Sequence, residues 1–364
     1  MSSYKIVILS EKGKWLKMNR INDRKRSLLR MVDVLKREGP MTQTMLKEHT
    51  NMQASTASYL MNDLKSIGIV INSGETIQGS GAGKPGNLIQ LNNNLAQFIG
   101  IYVEDNQVNV YVTGLDGITL DYRKVVMGNP TQVEQALIQV VDSICQENSI
   151  IRGIGIAMKA MVLSDGTIRF GYRDGMNENW KLQGLLQRLT THFSGIPIVI
   201  ENDANCTALL YQYEQKEDKM DLVLYLLNRI PFGIGCSILV KGKLLKGANG
   251  STGQYFEKGS RLRSLAIDKT NKDEYLESFI TALMPHIATT AYLLDPKIVV
   301  LSGSFLSDLE EKTVDKVESI IKSYHLPIEV ILTKGNQDYD PAKGAALIAM
   351  NDYISSFIAK VGAR

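Results

Sequence analysis

The sequence predicts an α/β protein in two parts: a small winged helix-turn-helix head, then a larger body of two α/β halves. Three observations carry that prediction. Apolar residues at helical spacing over positions 28–64 fall into three short segments, with a polar turn before the last. From Phe98 onward, β-branched runs alternate with helical patterns. The order of those runs restarts at Leu222, as a duplicated unit would. A chain of 364 residues has length for two or three domains. We place the head at residues 1–92 and the body at 93–364.

In the head, Leu28, Met31, Val32 and Leu35 repeat at helical spacing from Asn22 to Glu38, and Gly39-Pro40 stops the pattern. Thr42 is placed to cap a short helix carrying Met45 and Leu46. After the polar turn His49-Thr50-Asn51, Gln53 opens a third helix with Ala57, Leu60 and Leu64 on its inner face. Its other face shows Ser55, Thr56, Ser58, Tyr59 and Asn62. That helix is the one a helix-turn-helix lays in the major groove, so Gln53, Ser55, Thr56, Ser58, Tyr59 and Asn62 are the candidate DNA-reading residues. Ile69-Val70-Ile71 and Leu88-Ile89-Gln90-Leu91 then read as the strands of a wing, with Gly79 to Gly86 at its tip. Lys84 and backbone amides there suit DNA phosphates. The same glycine run fits a nucleotide-phosphate loop poorly, because no strand-loop-helix order surrounds it. A three-helix head of this kind also serves as a protein-interaction module in other settings, and that alternative stays open.

Charge agrees with a polyanion at the head. Residues 1–90 hold 14 Lys and Arg against 7 Asp and Glu, whereas the remainder holds 27 against 31. No run reaches the ~18 apolar residues of a membrane span, and the stretch Met1 to Lys14 lacks a signal-peptide plan. Cys145, Cys206 and Cys236 form no CxxC pair, which fits a reducing cytoplasm.

In the body, Phe98 to Val103, Val108 to Val112 and a third strand ending near Met127 read as a meander. A helix beginning at Thr131 carries Val133, Leu137, Val140, Val141 and Ile144, and a strand from Gly153 to Met158 follows. The second half opens at Leu222 to Leu226 and hairpins through Gly233 to Val240. A helix near Asp273 to Leu294, strands at Ile298 to Leu301 and Ile328 to Leu332, and a helix from about Ala342 complete it. Between the halves, Ile198-Val199-Ile200 ends in Glu201-Asn202-Asp203 and becomes a helix. Polar side chains at the carboxyl end of a buried strand, beside a helix N-terminus, are where open α/β sheets bind small ligands. Asn202 and Asp203 also suit a plain helix cap.

Several motifs together resemble one family. Glu201-Asn202-Asp203-Ala204-Asn205 is similar to its sugar-site stretch, and Phe232-Gly233-Ile234-Gly235 followed by Lys241-Gly242-Lys243-Leu244 to its second glycine turn. Gly247-Ala248-Asn249-Gly250 matches the start of its signature, and Gly344-Ala345-Ala346 its C-terminal helix. The family is ROK (repressors, open reading frames and kinases), and the head resembles that of its repressor branch. The resemblance implies a duplicated actin-like, sugar-kinase-type body with two lobes. It also implies a sugar-effector site at Asn179, Asn202, Asp203, Gln254 and Glu257, with Trp180 as an apolar wall.

Departures from the family pattern bear on activity. Kinases of the family hold ATP phosphates with Asp-x-Gly-Gly-Thr, where this chain has Tyr102-Val103-Glu104-Asp105-Asn106. Like charges a few ångströms apart cost ~4 kcal/mol at an effective dielectric near twenty, so ATP is disfavoured. Asp203 stands where a kinase relative has its general base, without a phosphoryl donor to serve. Gly253-Gln254-Tyr255-Phe256-Glu257 replaces the family's zinc-binding pattern, and His49, His192, His286 and His325 lie in no ligand spacing. Lys159-Ala160 replaces a usual Pro-Gly beside the sugar. The expectation is therefore a sugar-responsive transcriptional repressor of double-stranded operator DNA. It is expected to be a homodimer or dimer of dimers, with no catalytic residue, cofactor, metal or membrane contact. Two alternatives remain: a sugar kinase with an added head, and a regulator controlled by a protein partner.

Overall fold

The computed structural model describes residues 22–77, 85–104, 107–127, 132–163, 167–169, 184–217, 219–229, 232–253, 272–307, 309–333 and 339–362. Helix α1 covers 22–38 and buries Leu28, Met31, Val32 and Leu35. It stops at Gly39, whose φ of 77° is open to glycine at little cost. Strand β1 (Met41–Thr42) leads into α2 (Gln43–Thr50), and the Thr42 hydroxyl accepts the Met45 amide at 3.2 Å as the expected cap. Asn51, with φ 48°, turns the chain towards α3 (Ala54–Ser66), which buries Ala57, Leu60, Met61 and Leu64. Strands β2 (Val70–Ile77) and β3 (Gly86–Leu91) form the wing. β1 adds a third strand through Met41↔Ile89, which two residues without periodicity could not announce. The wing tip, with Lys84, lies outside the described residues.

The body is two sheets with one plan. In the first, β4 (Gln97–Val103), β5 (Gln107–Thr113) and β6 (Thr119–Val126) run antiparallel. Helix α4 (Val133–Glu147) returns the chain to β7 (Ile151–Met158), parallel to β4. A short ribbon of β8 (Met161–Val162) and β9 (Ile168–Arg169) and helix α5 (Leu185–His192) precede β10 (Ile198–Asn202), parallel to β7. Helix α6 (Asp203–Glu214) then crosses to the second sheet. There, β11 (Leu222–Arg229), β12 (Phe232–Val240) and β13 (Lys243–Leu244) run antiparallel. Helix α7 (Lys272–Leu294), β14 (Ile298–Ser302), α8 (Glu311–Ser323) and β15 (Glu329–Leu332) follow, and α9 (Pro341–Gly362) ends the described chain.

The strand orders are β6-β5-β4-β7-β10 and β13-β12-β11-β14-β15, the same sequence of antiparallel and parallel neighbours. The duplication read from the sequence is thus present in the topology. Helices α5 and α8 lie outside the sequence expectations. Each nevertheless carries apolar residues at helical spacing, Leu185 and Leu189 in α5 and Val314, Val317 and Ile321 in α8, a local signal that those expectations did not use.

Helix α9 folds back onto the first sheet, and small residues make that approach feasible. A Cβ on Gly100 or Gly155 would stand 2.0 Å from the carbonyl oxygens of Ala342 and Ala345. The same helix closes one hydrophobic cluster with the head, in which Leu28, Met31, Leu35, Leu46 and Leu64 meet Leu347, Met350, Ile354 and Ile358. Among the described residues no helix is long and apolar enough to cross a membrane.

Candidate functional site

Three parallel strands end together. Val103 of β4 pairs with Met158 of β7, which pairs with Asn202 of β10, so their carboxyl ends open beside the N-terminus of α6. Gly235 of β12 brings the second sheet against that helix turn, because a Cβ there would stand 2.8 Å from the Ala204 Cβ. Strand carboxyl ends beside a helix N-terminus are the position at which open α/β sheets bind ligands.

Asn202 is the α6 N-cap. Its Oδ1 accepts the amides of Ala204 at 3.0 Å and Asn205 at 3.4 Å, and its Nδ2 donates to the Ala160 carbonyl at 3.0 Å. Capping and the tie to the β7 end thus occupy much of its capacity. Asp203 is buried, and its Oδ1 accepts the Ala204 amide at 2.9 Å. The Tyr102 hydroxyl points at its Oδ2 from 3.4 Å, a long and weak contact. Burial pushes the Asp203 carboxyl up to about 6, against the opposing pull of Lys159 and the hydrogen bonds. Burial and the same carboxylate hold Tyr102 well above the usual phenol range, so it stays neutral and donates.

Of the further groups at this end, the sequence named Glu201, Lys159 and Glu104 within motifs, and it singled out none of Lys246, Lys343, Tyr111 and Asp340. Glu201 accepts the Asn202 amide and the Asn205 Nδ2, both at 2.9 Å, and pairs with Lys246 at 2.6 Å. That ion pair joins the end of β10 to the loop after β13, across the two sheets. The Lys159 ammonium lies 5.8 Å from the centre of the Tyr102 ring, and Lys343 lies 5.3 Å from that of Tyr111. Asp340 caps α9 through the Ala342 amide at 2.8 Å, and burial pushes its carboxyl up to about 6 as well. Glu104 hydrogen-bonds Gln107 at the β4–β5 turn, whose Asp105 and Asn106 lie outside the described residues. Among those the sequence missed, Asp340, directly before an expected helix, carried a local signal, that of an Asx cap.

The structure brings together Asn202 and Asp203. Asn179, Gln254 and Glu257 lie outside the described residues, as does Trp180. On the head, Gln53, Ser55, Thr56, Ser58, Tyr59 and Asn62 are all exposed along α3. Arg24 of α1 braces that face, with its guanidinium 5.4 Å from the Tyr59 ring centre and 2.8 Å from Asp63.

These features define a class: a two-lobed, actin-like body of the sugar-kinase type carrying a winged helix-turn-helix. The ROK family model matches residues 98–255, a little under half of the chain. The chain is 28% identical to the xylose repressor of Bacillus subtilis (strain 168) over 232 residues, 62% of this chain and 58% of the repressor. The match therefore spans little more than half of that relative's length. Among solved structures, a ROK family transcriptional regulator described as a homolog of the E. coli MLC protein superposes with a TM-score of 0.66 at 15% identity. It covers 93% of this chain and 99% of its own. A ROK hexokinase from Thermus thermophilus gives 0.55 at 18% identity, over 71% of this chain and 99% of its own. At such identities these two show the fold. Regulators and kinases share it.

Proposed function

We propose that this chain is a sugar-responsive transcriptional repressor that binds operator DNA through residues 1–92 and senses a small sugar through residues 93–364, without phosphoryl transfer. The observation that carries the reading is the pairing of an exposed polar α3 face with a buried Tyr102 at the position where the resembling family's phosphate motif begins. Kinases of the resembling family place a carboxylate there. Here a buried neutral phenol sits against Asp203, and Glu104 adds negative charge at the turn where phosphates would lie. A general base without a bound phosphoryl donor does no chemistry. Asn202 and Asp203, with Asn179, Gln254 and Glu257, are the proposed sugar contacts. Gln53, Ser55, Thr56, Ser58, Tyr59, Asn62 and Lys84 are the proposed DNA contacts, and a homodimer would present two such heads to a pair of half-sites. The named similarity to xylose repressors makes a pentose the first effector to try.

The test is a thermal-melting screen against pentoses, hexoses and their phosphates, with Asp203→Ala alongside. A sugar at a hundred times its dissociation constant adds about 2.7 kcal/mol, a visible rise in midpoint. We expect one sugar to raise the midpoint of the wild-type protein only, and the same sugar to release duplexes selected from a random DNA pool. ATP turnover abolished by Asp203→Asn would overturn the non-catalytic reading, and failure to select any duplex would overturn the repressor.

A further inference from the structure

We infer that helix α6 is the rod by which the state of the cleft reaches the head, and that Tyr213 is the positioning residue that couples the two. The inference rests on the sugar-responsive reading above and names how that site is regulated. The first turn of α6 belongs to the cleft, since Asn202 caps it and Asp203 opens it. Its 12 residues span ~18 Å, and its last turn meets α1 of the head.

The far end is a set of polar ties between two helix termini. The last carbonyls of α1 have no donor within their own helix. The Tyr213 hydroxyl lies 3.0 Å from the Lys36 carbonyl and 3.0 Å from that of Asp116, sharing one proton between the head and the β5–β6 turn. Arg37 donates to the Lys216 carbonyl at 3.0 Å, and the Lys216 ammonium donates to Glu38 at 3.1 Å. Three side-chain contacts thus tie the end of α1 to the end of α6 and the residues just after it. Lys36, buried at this joint, donates to Asn351 of α9 at 2.8 Å, and its ammonium lies 3.2 Å from Asp33. It also lies 5.6 Å from the centre of the Tyr213 ring.

Two further features make this joint a candidate for two arrangements rather than one. A cavity of about 200 Å³ opens between head and body, lined by Asp33, Arg37, Leu209, Gln212, Leu347 and Ile348 among others. That space is partly open to solvent, so this side of the joint is not close-packed and the helices have room to shift. At its other end α6 packs against both sheets, with Gly235 of the second sheet against Ala204. A change in the angle between the sheets therefore moves the helix as a body, and the ties at Tyr213 pass that movement to α1. A sugar biases the joint only by binding its two arrangements unequally.

Hydrogen exchange of the full chain tests this without any ligand. Asn202→Ala removes the cap at the cleft end of α6, and Tyr213→Phe removes only the hydroxyl at the head end. In an otherwise wild-type chain, Asn202→Ala is expected to speed exchange about fivefold both in the first turn of α6 and at residues 36–39 of the head. In the Tyr213→Phe background the α6 effect is expected to persist and the head effect to vanish. Asp203→Asn serves as a second perturbation at the cleft should Asn202→Ala fold poorly. An unchanged head in the wild-type background overturns the inference. So does an equal head effect in both backgrounds, because global loosening would travel regardless of Tyr213. A sugar screen that fails while this coupling is present would sink the effector reading and leave the rod standing.

Discussion

Asp203 carries the sharpest conflict at the scale of single residues. Its carboxyl is buried at the head of α6 and pushed up to about 6, whereas an unfolded chain holds aspartate near ~3.9. A folded-state value above the unfolded one means that its contribution to stability is full below ~4 and is lost as pH rises through about 6. The folded protein therefore tolerates ionised Asp203 at neutral pH at a cost of up to ~3 kcal/mol. Asp203→Asn, which cannot ionise, is expected to gain on the wild type by up to that amount between about pH 4 and pH 7.5, read by denaturant melts. A constant difference across the range would show that Asp203 is unperturbed. A residue kept at such a cost is one that does something other than stabilise. Tyr102, facing it across 101 positions of sequence, was legible as a departure from a kinase motif but not as its neighbour.

Among elements, α9 shows how sequence composition and packing divide the work. The residues it turns to the sheet, Ala342, Ala345 and Ala346, are small, and opposite them stand Gly100 and Gly155 on adjacent strands. The strands and helix meet backbone to backbone at distances that exclude a methyl group. Gly155→Ala is expected to cost ~3 kcal/mol or more, the upper end for overpacking, since its Cβ would meet a backbone carbonyl that has no rotamer to change. Gly39→Ala meets no atom within 4 Å and is expected to cost only the strain of its positive φ, ~1 kcal/mol. Urea unfolding of the two variants checks the contrast, and equal losses would mean that backbone strain, not the α9 contact, sets both. On α3, by contrast, Gln53, Ser55, Thr56, Ser58, Tyr59 and Asn62, the proposed DNA contacts, stay exposed.

For the whole molecule, the head is not an appendage on a linker. Its apolar cluster runs on into Met350, Ile354 and Ile358 of α9, and Lys36 is tied to Asn351 in the same place. Ile354→Ala, in the body, is expected to cost ~2–5 kcal/mol and to lower amide protection in α3 together with that in α9. Protection lost in α9 alone would show that head and body unfold independently, and would weaken any account in which the cleft speaks to the head through packing. The surplus of basic residues counted over positions 1–90 of the sequence, against an acidic remainder, is the charge pattern that the proposed DNA contact would use.

Most elements were legible before any coordinates, because a helix or strand buries one face and that face repeats locally in the chain. The duplicated order, the Thr42 cap and the polar end of β10 were read in this way, and so was the outward row on α3. Pairings between distant residues carry no such repeat. Glu201 with Lys246, Lys36 with Asn351 across 315 positions, and Tyr213 with Lys36 across 177 depend on sheet register and on how closely α6 and α9 approach. Whether Asn202 caps, binds or does both is decided there too. A side chain's hydrogen-bonding capacity is spent on whatever the fold brings within 3 Å, and no local pattern announces that partner.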